Sequence, residues 1–387
     1  MTTRTPSCPF EHIENPELEE QQIEEAAQIQ VKLLEKRYAP PKPVLRGVHP
    51  KSHGCVKATF TVNADIAPNF QVGLFAEPGR QFDAIVRFSN AAALDGPDVD
   101  CRGRNAAPAT PDKHGSRGMA IKVLDVEGEM LSRDGGARNQ DFLMINQPVF
   151  AFANTEDYLR LQRILDRDDD DPAGFFAPLR AGDPTLPAHV REAILKEIRE
   201  QQIEPDDIQR ILATFKIIRG IQATPCANPL GMQYFSAAPF LFGAGRVMKF
   251  SARPCAEVPP ATVQDPTREH YLREILTDTM KRADTVQFDF MVQVRSGGDD
   301  MGIEDASSGW DEATHPFVRV ARITIAAPQD DVDSDERKAE CEALAFSPWH
   351  SLAAHQPIGS INRLRLAVYE AAAEHRLKHP HHGDGAR

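Results

Sequence analysis

Arg365 and Tyr369 lie four residues apart in the segment INRLRLAVYEAAAEHR (361–376). The segment is rich in helix formers, and a four-residue spacing places two side chains on the same face of a helix. A guanidinium would then lie beside a phenol. A permanent cation favours loss of the phenol proton, and the resulting tyrosinate oxygen can bind ferric iron. The same spacing also suits a surface arginine beside a half-buried tyrosine, so the interpretation depends on residues elsewhere in the chain.

The composition indicates a globular protein with a substantial core. The chain has 387 residues, of which 41% are hydrophobic and 26% are charged, enough for one large domain or two ordinary ones. A net charge of -13 disfavours nucleic acid and anionic membranes as partners. No apolar run resembles a signal peptide or reaches membrane-spanning length, so we expect a reducing, cytoplasmic location and no integral membrane association.

The cysteines and the clusters of charged residues give no sign of a metal site. Six cysteines are scattered along the chain without a C-x-x-C pair, which predicts neither a zinc site nor a disulfide framework. The acidic runs at 166–172 and 329–336 lack the ligand pattern of a calcium loop and are predicted to be solvated loops. The histidines near the end of the chain, His379, His381 and His382, are typical of a flexible tail.

Hydrophobic periodicity divides the chain into alternating blocks of strands and helices. Residues 15–38 predict an amphipathic helix that ends before the prolines at 40, 41 and 43. Helices are also predicted over 155–220 and from 335 onward. Period-two apolar runs predict eight strands, at 55–62, 82–90, 117–126, 142–152, 231–243, 246–254, 285–294 and 317–327. This order predicts an α+β architecture with a large antiparallel sheet.

Several short motifs occur in a fixed order along the chain. They are RGVHPKSHG (46–54), VRFSN (86–90), SRGMAIKV (116–123), NQPVF (146–150), AFSP (345–348) and the helix that carries Arg365, Tyr369 and Arg376. In this order and at these separations they resemble the haem-dependent catalase superfamily. The likeness is greatest to its short catalase-related members, which lack the extra C-terminal domain of large catalases, and it covers roughly residues 40–380.

The resemblance implies a fold, a cofactor and a reaction. The implied fold is a catalase-like antiparallel β-barrel with an N-terminal helical arm and with helices packed after the barrel. It implies an arm at 1–39, a haem-binding domain at 40–378 and a flexible His-rich tail at 379–387. The implied cofactor is haem b (iron protoporphyrin IX). The implied activity is that of a haem-dependent oxidoreductase of the catalase or peroxidase type. Its substrate would be hydrogen peroxide or a small organic hydroperoxide, and the resemblance allows a homo-oligomer.

The resemblance also assigns a role to the pair at the end of the chain and to two upstream residues. Tyr369 matches the proximal tyrosine that ligates the iron, and Arg365 matches the arginine that holds this ligand as phenolate. Of the five tyrosines, only Tyr369 follows an arginine by four residues. His49 matches the distal histidine, and Ser89 matches the serine that is hydrogen-bonded to it.

Four further residues match positions that contact the haem. Arg46, Arg87 and Arg376 match three arginines that clamp the haem propionates, a use that suits permanently charged, bidentate groups. Tyr158 falls near the position of an aromatic residue that stacks on the haem face.

The chemistry of peroxide cleavage agrees with these roles. Splitting the O–O bond heterolytically needs a base that takes a proton from one oxygen and returns it to the departing oxygen. A neutral histidine can do both. A hydrogen bond from Ser89 would fix the tautomer and the ring orientation of His49. His53 is the nearest competing histidine and is predicted to belong to loop structure.

One position departs from the pattern of the superfamily. Ile145 stands where the superfamily usually has a distal asparagine. Asn146 cannot replace that residue without a bulge, because neighbouring side chains of a strand point to opposite faces. We therefore expect weaker peroxide disproportionation than in large catalases and relatively favoured peroxidase turnover.

The sequence leaves three alternatives open. One is the rearrangement of fatty-acid hydroperoxides, as in allene oxide synthases, although those enzymes typically have Thr where this chain has Val48. Another is a haem-binding protein without activity, which the presence of His49, Ser89 and Tyr369 disfavours. A calycin-like binding barrel is the alternative in which no haem is bound.

Overall fold

The computed structural model describes residues 8–131, 138–258, 262, 265–282, 284–296 and 302–379. Within these ranges the chain forms eleven strands and eight α-helices. The strands are β1 (Ser52–Val62), β2 (Gln81–Asn90), β3 (Val99–Asp100), β4 (Lys113–His114), β5 (Arg117–Val123), β6 (Gln140–Ile145), β7 (Tyr234–Phe235), β8 (Phe240–Leu241), β9 (Arg246–Pro254), β10 (Thr285–Ser296) and β11 (Val318–Ala326). The helices are α1 (Pro16–Arg37), α2 (Thr155–Arg167), α3 (Ala173–Phe176), α4 (Ala188–Glu200), α5 (Pro205–Ala223), α6 (Tyr271–Arg282), α7 (Asp335–Ala343) and α8 (Ser360–Lys378).

Eight of the strands close into an antiparallel barrel. They follow the order β10-β11-β1-β2-β5-β6-β7-β9, and β9 pairs back with β10 to close the ring. The short strand β8 also pairs with β9, beside β7, while β3 and β4 form a separate two-stranded sheet. The predicted α+β fold with an antiparallel barrel is therefore confirmed.

The alternation of side chains along each barrel strand separates a packed interior from an outer face. Interior positions such as Val86 and Phe88 on β2 belong to one large apolar core. Aromatic rings fill its centre, with the Phe142 and Phe290 centroids 4.6 Å apart. Each fully buried ring stabilises the fold by about 1.5–3 kcal/mol. Since successive residues of a strand point to opposite faces, Arg87 and Ser89 lie on the outer face.

Helices cover that outer face, and the first and last of them pack together. The helix α1 packs against α8 and α2. It begins with Asn15, whose side chain accepts a hydrogen bond from the Leu18 amide at 3.1 Å, and it ends before the proline-rich segment. Both this helix and α8, which contains the Arg365/Tyr369 segment, lie where the sequence predicts them.

Three elements differ from the sequence predictions. The predicted strand 231–243 is broken into β7 and β8, and Ala237 between them has a left-handed backbone with φ 58°. The predicted strand 142–152 ends at Ile145, three residues before Pro148, which lacks the amide hydrogen that a ladder needs. The helix α6 was not among the predicted elements, although it buries Leu272, Ile275 and Leu276.

The structure also contains a disulfide bond that the sequence did not predict. Cys55 on β1 and Cys341 on α7 are joined, with their Cα atoms 6.0 Å apart and 286 residues between them in sequence. The prediction that the scattered cysteines form no disulfide framework is wrong for this pair. The reason is that α7 packs on β1, a contact that spacing in sequence does not reveal.

Three other predictions concern charge clusters, membranes and boundaries. Across the described ranges, no group of three or more His, Cys, Asp or Glu side chains could hold a metal ion. No helix described here is both long and apolar enough to cross a membrane. Of the predicted tail at 379–387, residues 380–387 lie outside the described residues, and His379 caps the end of α8. The boundaries of the arm, domain and tail stay predictions.

Candidate active site

A cavity lies between the outer face of the barrel and the helices α1, α2 and α8. It has two adjoining parts, with about 680 Å³ and about 1880 Å³ of empty space. Seven residues line both parts: Gln30, Val48, His49, Leu143, Met144, Val368 and Tyr369. Every site residue predicted from the sequence lines one part or both: Arg46, His49, Arg87, Ser89, Tyr158, Arg365, Tyr369 and Arg376.

His49 reaches the cavity from the barrel side, on the segment that leads into β1. Its backbone is left-handed, with φ 57°, a conformation that costs a non-glycine residue on the order of 1–3 kcal/mol. Two hydrogen bonds hold it there. The His49 amide donates to the Ala92 carbonyl at 3.2 Å, and Arg87 Nη2 donates to the His49 carbonyl at 2.9 Å. The surrounding structure therefore fixes the direction of the imidazole.

The imidazole ring of His49 is held by neighbours on two barrel strands. Its Nδ1 lies 3.0 Å from Ser89 Oγ on β2. Gly118 on β5 pairs with Ser89 across the sheet. A Cβ atom at Gly118 would collide with His49 Nδ1 and would lie 2.8 Å from Ser89 Oγ. The absence of a side chain at Gly118 therefore makes room for the His49–Ser89 pair.

Burial and nearby cations keep His49 neutral. Burial is the largest cause, followed by the positive charges of Arg87, Arg365 and Arg46, and together they lower the pKa of His49 to about 3. At physiological pH the ring therefore carries one proton and can accept a second from a bound molecule.

Tyr369 reaches the same cavity from α8, with Arg365 one helical turn before it. The Arg365 Cζ atom lies 5.3 Å from the centroid of the Tyr369 ring, so the pair shares one helix face as predicted. Arg365 Nη1 donates to Asn362 Oδ1 at 3.1 Å, which fixes the guanidinium. Tyr158 on α2 also lines the cavity. Burial, followed by the proximity of Tyr369, raises the pKa of Tyr158 to about 12, which keeps this phenol protonated.

Arg46, Arg87 and Arg376, here called the arginine triad, lie together at the smaller part of the cavity. They come from the segment before β1, from β2 and from α8. Glu342 at the end of α7 forms an ion pair with Arg46 and lies 3.7 Å from Arg87 Nη2. Arg376 donates to the backbone carbonyls of Glu342 and Leu344, the latter at 3.0 Å. Within the described ranges, Glu342 is the one carboxylate in ion-pair contact with the triad.

The triad carries more positive charge than its surroundings balance. Burial is the largest cause of a lowered pKa at Arg46, at Arg87 (to about 9) and at Arg376 (to about 10). Repulsion from Arg46 comes next for both Arg87 and Arg376. The buried Nε of Arg87 also has no hydrogen-bond partner among the described atoms. Three guanidiniums beside one carboxylate leave an excess of two positive charges, which two further carboxylates would neutralise.

Part of this chain is similar in sequence to two known proteins. A catalase-like protein of Staphylococcus aureus is 32% identical over 123 residues, which is 32% of this chain and 22% of that protein. A catalase of Staphylococcus aureus (strain USA300) is also 32% identical over 123 residues, 20% of its length. The aligned stretch thus spans only about a fifth of these relatives. No family model matches the chain.

Solved structures extend the likeness over most of the chain. A fungal catalase superposes with a TM-score of 0.60 at 16% identity, covering 88% of this chain and 61% of the fungal one. Catalase A from Saccharomyces cerevisiae gives a TM-score of 0.59 at 16% identity, covering 89% of this chain and 63% of the yeast one. The chain therefore has the fold of catalases. It spans less than two thirds of each of these two catalases.

The position at which the chain departs from the superfamily pattern is visible in the cavity. Ile145, at the end of β6, lines the larger part. Asn146 is turned away, because its Oδ1 accepts hydrogen bonds from the Arg117 amide at 2.7 Å and from Ser116 Oγ at 3.0 Å. An apolar side chain therefore faces the cavity where the superfamily usually places an amide.

The competing histidine lies elsewhere. His53 lines neither part of this cavity. It is fully buried, and its Nε2 lies 3.0 Å from Asn90 Oδ1. Asn90 in turn donates to Asp98 Oδ1 at 2.9 Å. His53 therefore lies on β1, in a buried polar network beside β2, and the prediction that it belongs to loop structure is wrong.

Three residues of the site were not predicted from the sequence. Gly118 lies within the motif at 116–123, and a glycine in a strand interior is a sign of close approach by another group. Glu342 lies three residues before the AFSP motif, but nothing in its neighbourhood links it to arginines far away in sequence. Gln30 on α1 is buried and donates to the Gly47 carbonyl at 3.4 Å, and neither its type nor its spacing signals this.

Proposed function

We propose that this protein is a haem b-dependent oxidoreductase that metabolises hydrogen peroxide or small organic hydroperoxides by catalatic or peroxidatic turnover. One observation carries the proposal: the His49–Ser89 pair, the Arg365/Tyr369 pair and the arginine triad all line one cavity. The names of its relatives, catalase and catalase-like protein, support the same class of reaction.

The residues of the cavity fit a haem. The two uncompensated positive charges of the triad match the two propionates of haem b, which Arg46, Arg87 and Arg376 would hold. Tyr369 offers the phenol oxygen that would ligate the iron, and the Arg365 guanidinium lies 5.3 Å from the centroid of its ring. When bound, haem supplies the redox chemistry that breaks the O–O bond, and the protein supplies binding, orientation and proton transfer.

His49 is the group that would move the proton. Its Nδ1 is engaged by Ser89, which leaves Nε2 to accept a proton from one oxygen of the peroxide. The same nitrogen then returns this proton to the departing oxygen, which leaves as water or as an alcohol. Ser89 and the space above Gly118 hold the ring steady during both transfers.

Ile145 bears on the balance between the two modes of turnover. An isoleucine cannot donate a hydrogen bond to peroxide, so hydrogen peroxide is held less firmly than beside an amide. We propose that oxygen release is slow relative to large catalases and that oxidation of organic donors is favoured. Oxygen evolution as rapid as that of a large catalase contradicts this part of the proposal.

The shape of the cavity also supports a second candidate, the conversion of fatty-acid hydroperoxides. The larger part is lined mostly by apolar side chains, among them Leu33, Phe152, Leu161 and Ile218. An apolar surface of this size suits an alkyl chain. Epoxide products from a fatty-acid hydroperoxide, without oxygen release from hydrogen peroxide, would favour this candidate.

Absorption spectra and steady-state assays of the haem-reconstituted protein test the proposal. The wild type should bind haem stoichiometrically with a strong Soret band. Tyr369→Phe should loosen or lose haem, whereas His49→Ala should keep haem and lose peroxide turnover by about 10²–10⁴-fold. The matched controls are Tyr271→Phe, a buried tyrosine outside the cavity, and His189→Ala, an exposed histidine on α4.

Each outcome has a distinct meaning. If the wild type binds no haem, the proposed function is wrong. If His49→Ala keeps full peroxide turnover, His49 has no catalytic role. If the wild type binds haem but turns over no peroxide, the chain is a haem-binding protein without this activity.

A further inference from the structure

We propose that Glu342 is a permanent counterion of the arginine triad and limits the negative charge that the site accepts to that of two carboxylates. This inference rests on the haem site proposed above. It adds a residue that limits the charge of the ligand and that lies outside the triad, lining neither part of the cavity.

The position of Glu342 is fixed by its own helix. The backbone around it is bound to the triad at several points: Arg46 Nη2 donates to the carbonyls of Cys341 at 2.9 Å and Leu344 at 2.8 Å, and Arg376 donates to Glu342 and Leu344. These acceptors lie at the C-terminal end of α7, where helix carbonyls lack helical partners and attract cations.

A covalent link holds the same end of the helix to the barrel. Cys341, the residue before Glu342, is bonded to Cys55 on β1. The backbone of Glu342 is therefore anchored beside the triad, and its carboxylate can move only by rotation about its own side-chain bonds. We infer that it remains in place beside the bound cofactor and does not act as a temporary substitute for a propionate.

The charges of the cluster then decide which ligand fits. With Glu342 in place, a ligand with two carboxylates brings the buried cluster to neutrality. A ligand with no carboxylate leaves two unpaired cations away from water, and a ligand with four leaves two unpaired anions. Unpaired buried charges are strongly unfavourable, so neutrality selects the dicarboxylate.

The neighbouring residue Glu340 provides a matched control. It lies on the same helix, and its side chain is 69% exposed. It pairs with Arg337 and has no contact with the triad in the described structure. Both substitutions, Glu342→Gln and Glu340→Gln, remove one negative charge from α7. Glu342 contacts the triad, whereas Glu340 contacts Arg337.

The test is a thermodynamic cycle between protein charge and ligand charge. The two ligands are iron protoporphyrin IX and its dimethyl ester, which lacks both negative charges of the propionates. Each ligand is titrated into the haem-free wild type, Glu342→Gln and Glu340→Gln, and binding is followed by absorbance. The quantity compared is the ratio of the two affinities, in which changes that affect both ligands equally cancel.

We expect the preference for the free acid over the ester to rise at least about fivefold in Glu342→Gln, because the propionates no longer face a like charge. The preference should be unchanged in Glu340→Gln. A second readout needs no ligand: haem-free Glu342→Gln should melt at a lower temperature than haem-free Glu340→Gln, because its triad has lost its counterion.

The outcomes separate this inference from the proposed function. If the wild type binds neither porphyrin, the proposed haem site fails and the inference fails with it. If the wild type binds haem but Glu342→Gln shows an unchanged or smaller preference for the free acid, only the inference is overturned. A smaller preference would mean that Glu342 merely orients Arg46.

Discussion

Two buried ionic clusters lie on the outer face of the barrel, and only one of them balances its charges. In the first, Lys122 on β5 donates to both oxygens of Asp141 on β6, at 2.7 and 2.8 Å. Asp141 also accepts from the Ser347 amide at 3.0 Å and lies 2.8 Å from His350 Nδ1. We call this the Lys122–Asp141 cluster. One cation meets one anion, and each oxygen of the carboxylate has a partner.

The arginine triad is built differently. Its three cations share one carboxylate, and one of its buried donors, Arg87 Nε, has no partner among the described atoms. A balanced buried pair serves the fold, because its groups satisfy each other. Three buried cations that share one carboxylate repel each other, and a bound anion would relieve this repulsion. In this layer of the protein, an excess of buried positive charge therefore indicates a candidate binding site, whereas a balanced pair indicates a structural role.

The largest effect is expected in the balanced cluster. Asp141→Asn should lower the free energy of unfolding by about 3–5 kcal/mol, because it leaves the ammonium of Lys122 buried without a counterion. Denaturant unfolding of the haem-free protein measures this. The haem affinity of the folded protein should change by less than about threefold, since Asp141 does not line the cavity.

A surface ion pair supplies the control for that measurement. Asp166→Asn removes the partner of Lys32, whose side chain is 65% exposed, and should change the unfolding free energy by less than about 1 kcal/mol. If Asp141→Asn is equally mild, the distinction between the two clusters breaks down.

The second-largest effect concerns the arginine triad, where a substitution should weaken haem binding strongly and change the stability of the haem-free protein little. Arg87→Met should weaken haem b binding by about 100-fold, because it removes charge-assisted hydrogen bonds to a propionate. The unfolding free energy of the haem-free protein should fall by no more than about 1–2 kcal/mol, because relief of the repulsion with Arg46 and Arg376 offsets the lost hydrogen bond to the His49 carbonyl.

Porphyrin titration and denaturant unfolding measure these two quantities on the same preparation. Arg319→Met, at a 43% exposed side chain on β11, is the control and should leave haem affinity unchanged. A strong loss of haem-free stability in Arg87→Met, with haem affinity retained, would show that the triad is structural after all.

The smallest effect is a pH dependence of stability that comes from the lowered pKa of His49. The pKa of His49 is lowered to about 3 by burial and by nearby arginines, whereas in the unfolded chain it has its ordinary value near 6.5. Between these values the unfolded chain binds the extra proton and the folded chain does not. The stability that His49 contributes is therefore complete above pH 6.5 and is lost as the pH falls toward 3.

The expected slope from His49 is up to about 1.4 kcal/mol per pH unit in this window. Unfolding free energies of the haem-free protein at pH 7, 6 and 5 measure it, and His49→Asn should show a slope smaller by about that amount. Equal slopes in the two proteins would mean that His49 is already charged in the folded state.

Local signals were sufficient for much of the fold and for the predicted site. The helix that holds Arg365 and Tyr369 follows from its own composition, and the barrel strands from their alternation. The resemblance that the ordered motifs carry then named eight residues, and all eight line one cavity. Their roles toward a haem remain predictions that the experiments above test.

The features that the sequence did not reveal all depend on contacts between distant segments. Glu342 matters because α7 packs beside three arginines from other elements. Gly118 matters because of where His49 lies. The Cys55–Cys341 bond joins residues 286 positions apart. In each case the role of the residue depends on its closeness in space to residues that are distant in sequence. Neither residue type nor local spacing predicts that closeness.

The site draws its residues from distant parts of the sequence, and this has a consequence for biosynthesis. Arg46 and Arg87 leave the ribosome long before Tyr369 and Arg376, which are both on α8. Until α8 has been made and has docked, a nascent chain lacks the Tyr369 phenol and one of the three guanidiniums. The order of synthesis therefore delays completion of the proposed haem site until α8 is in place.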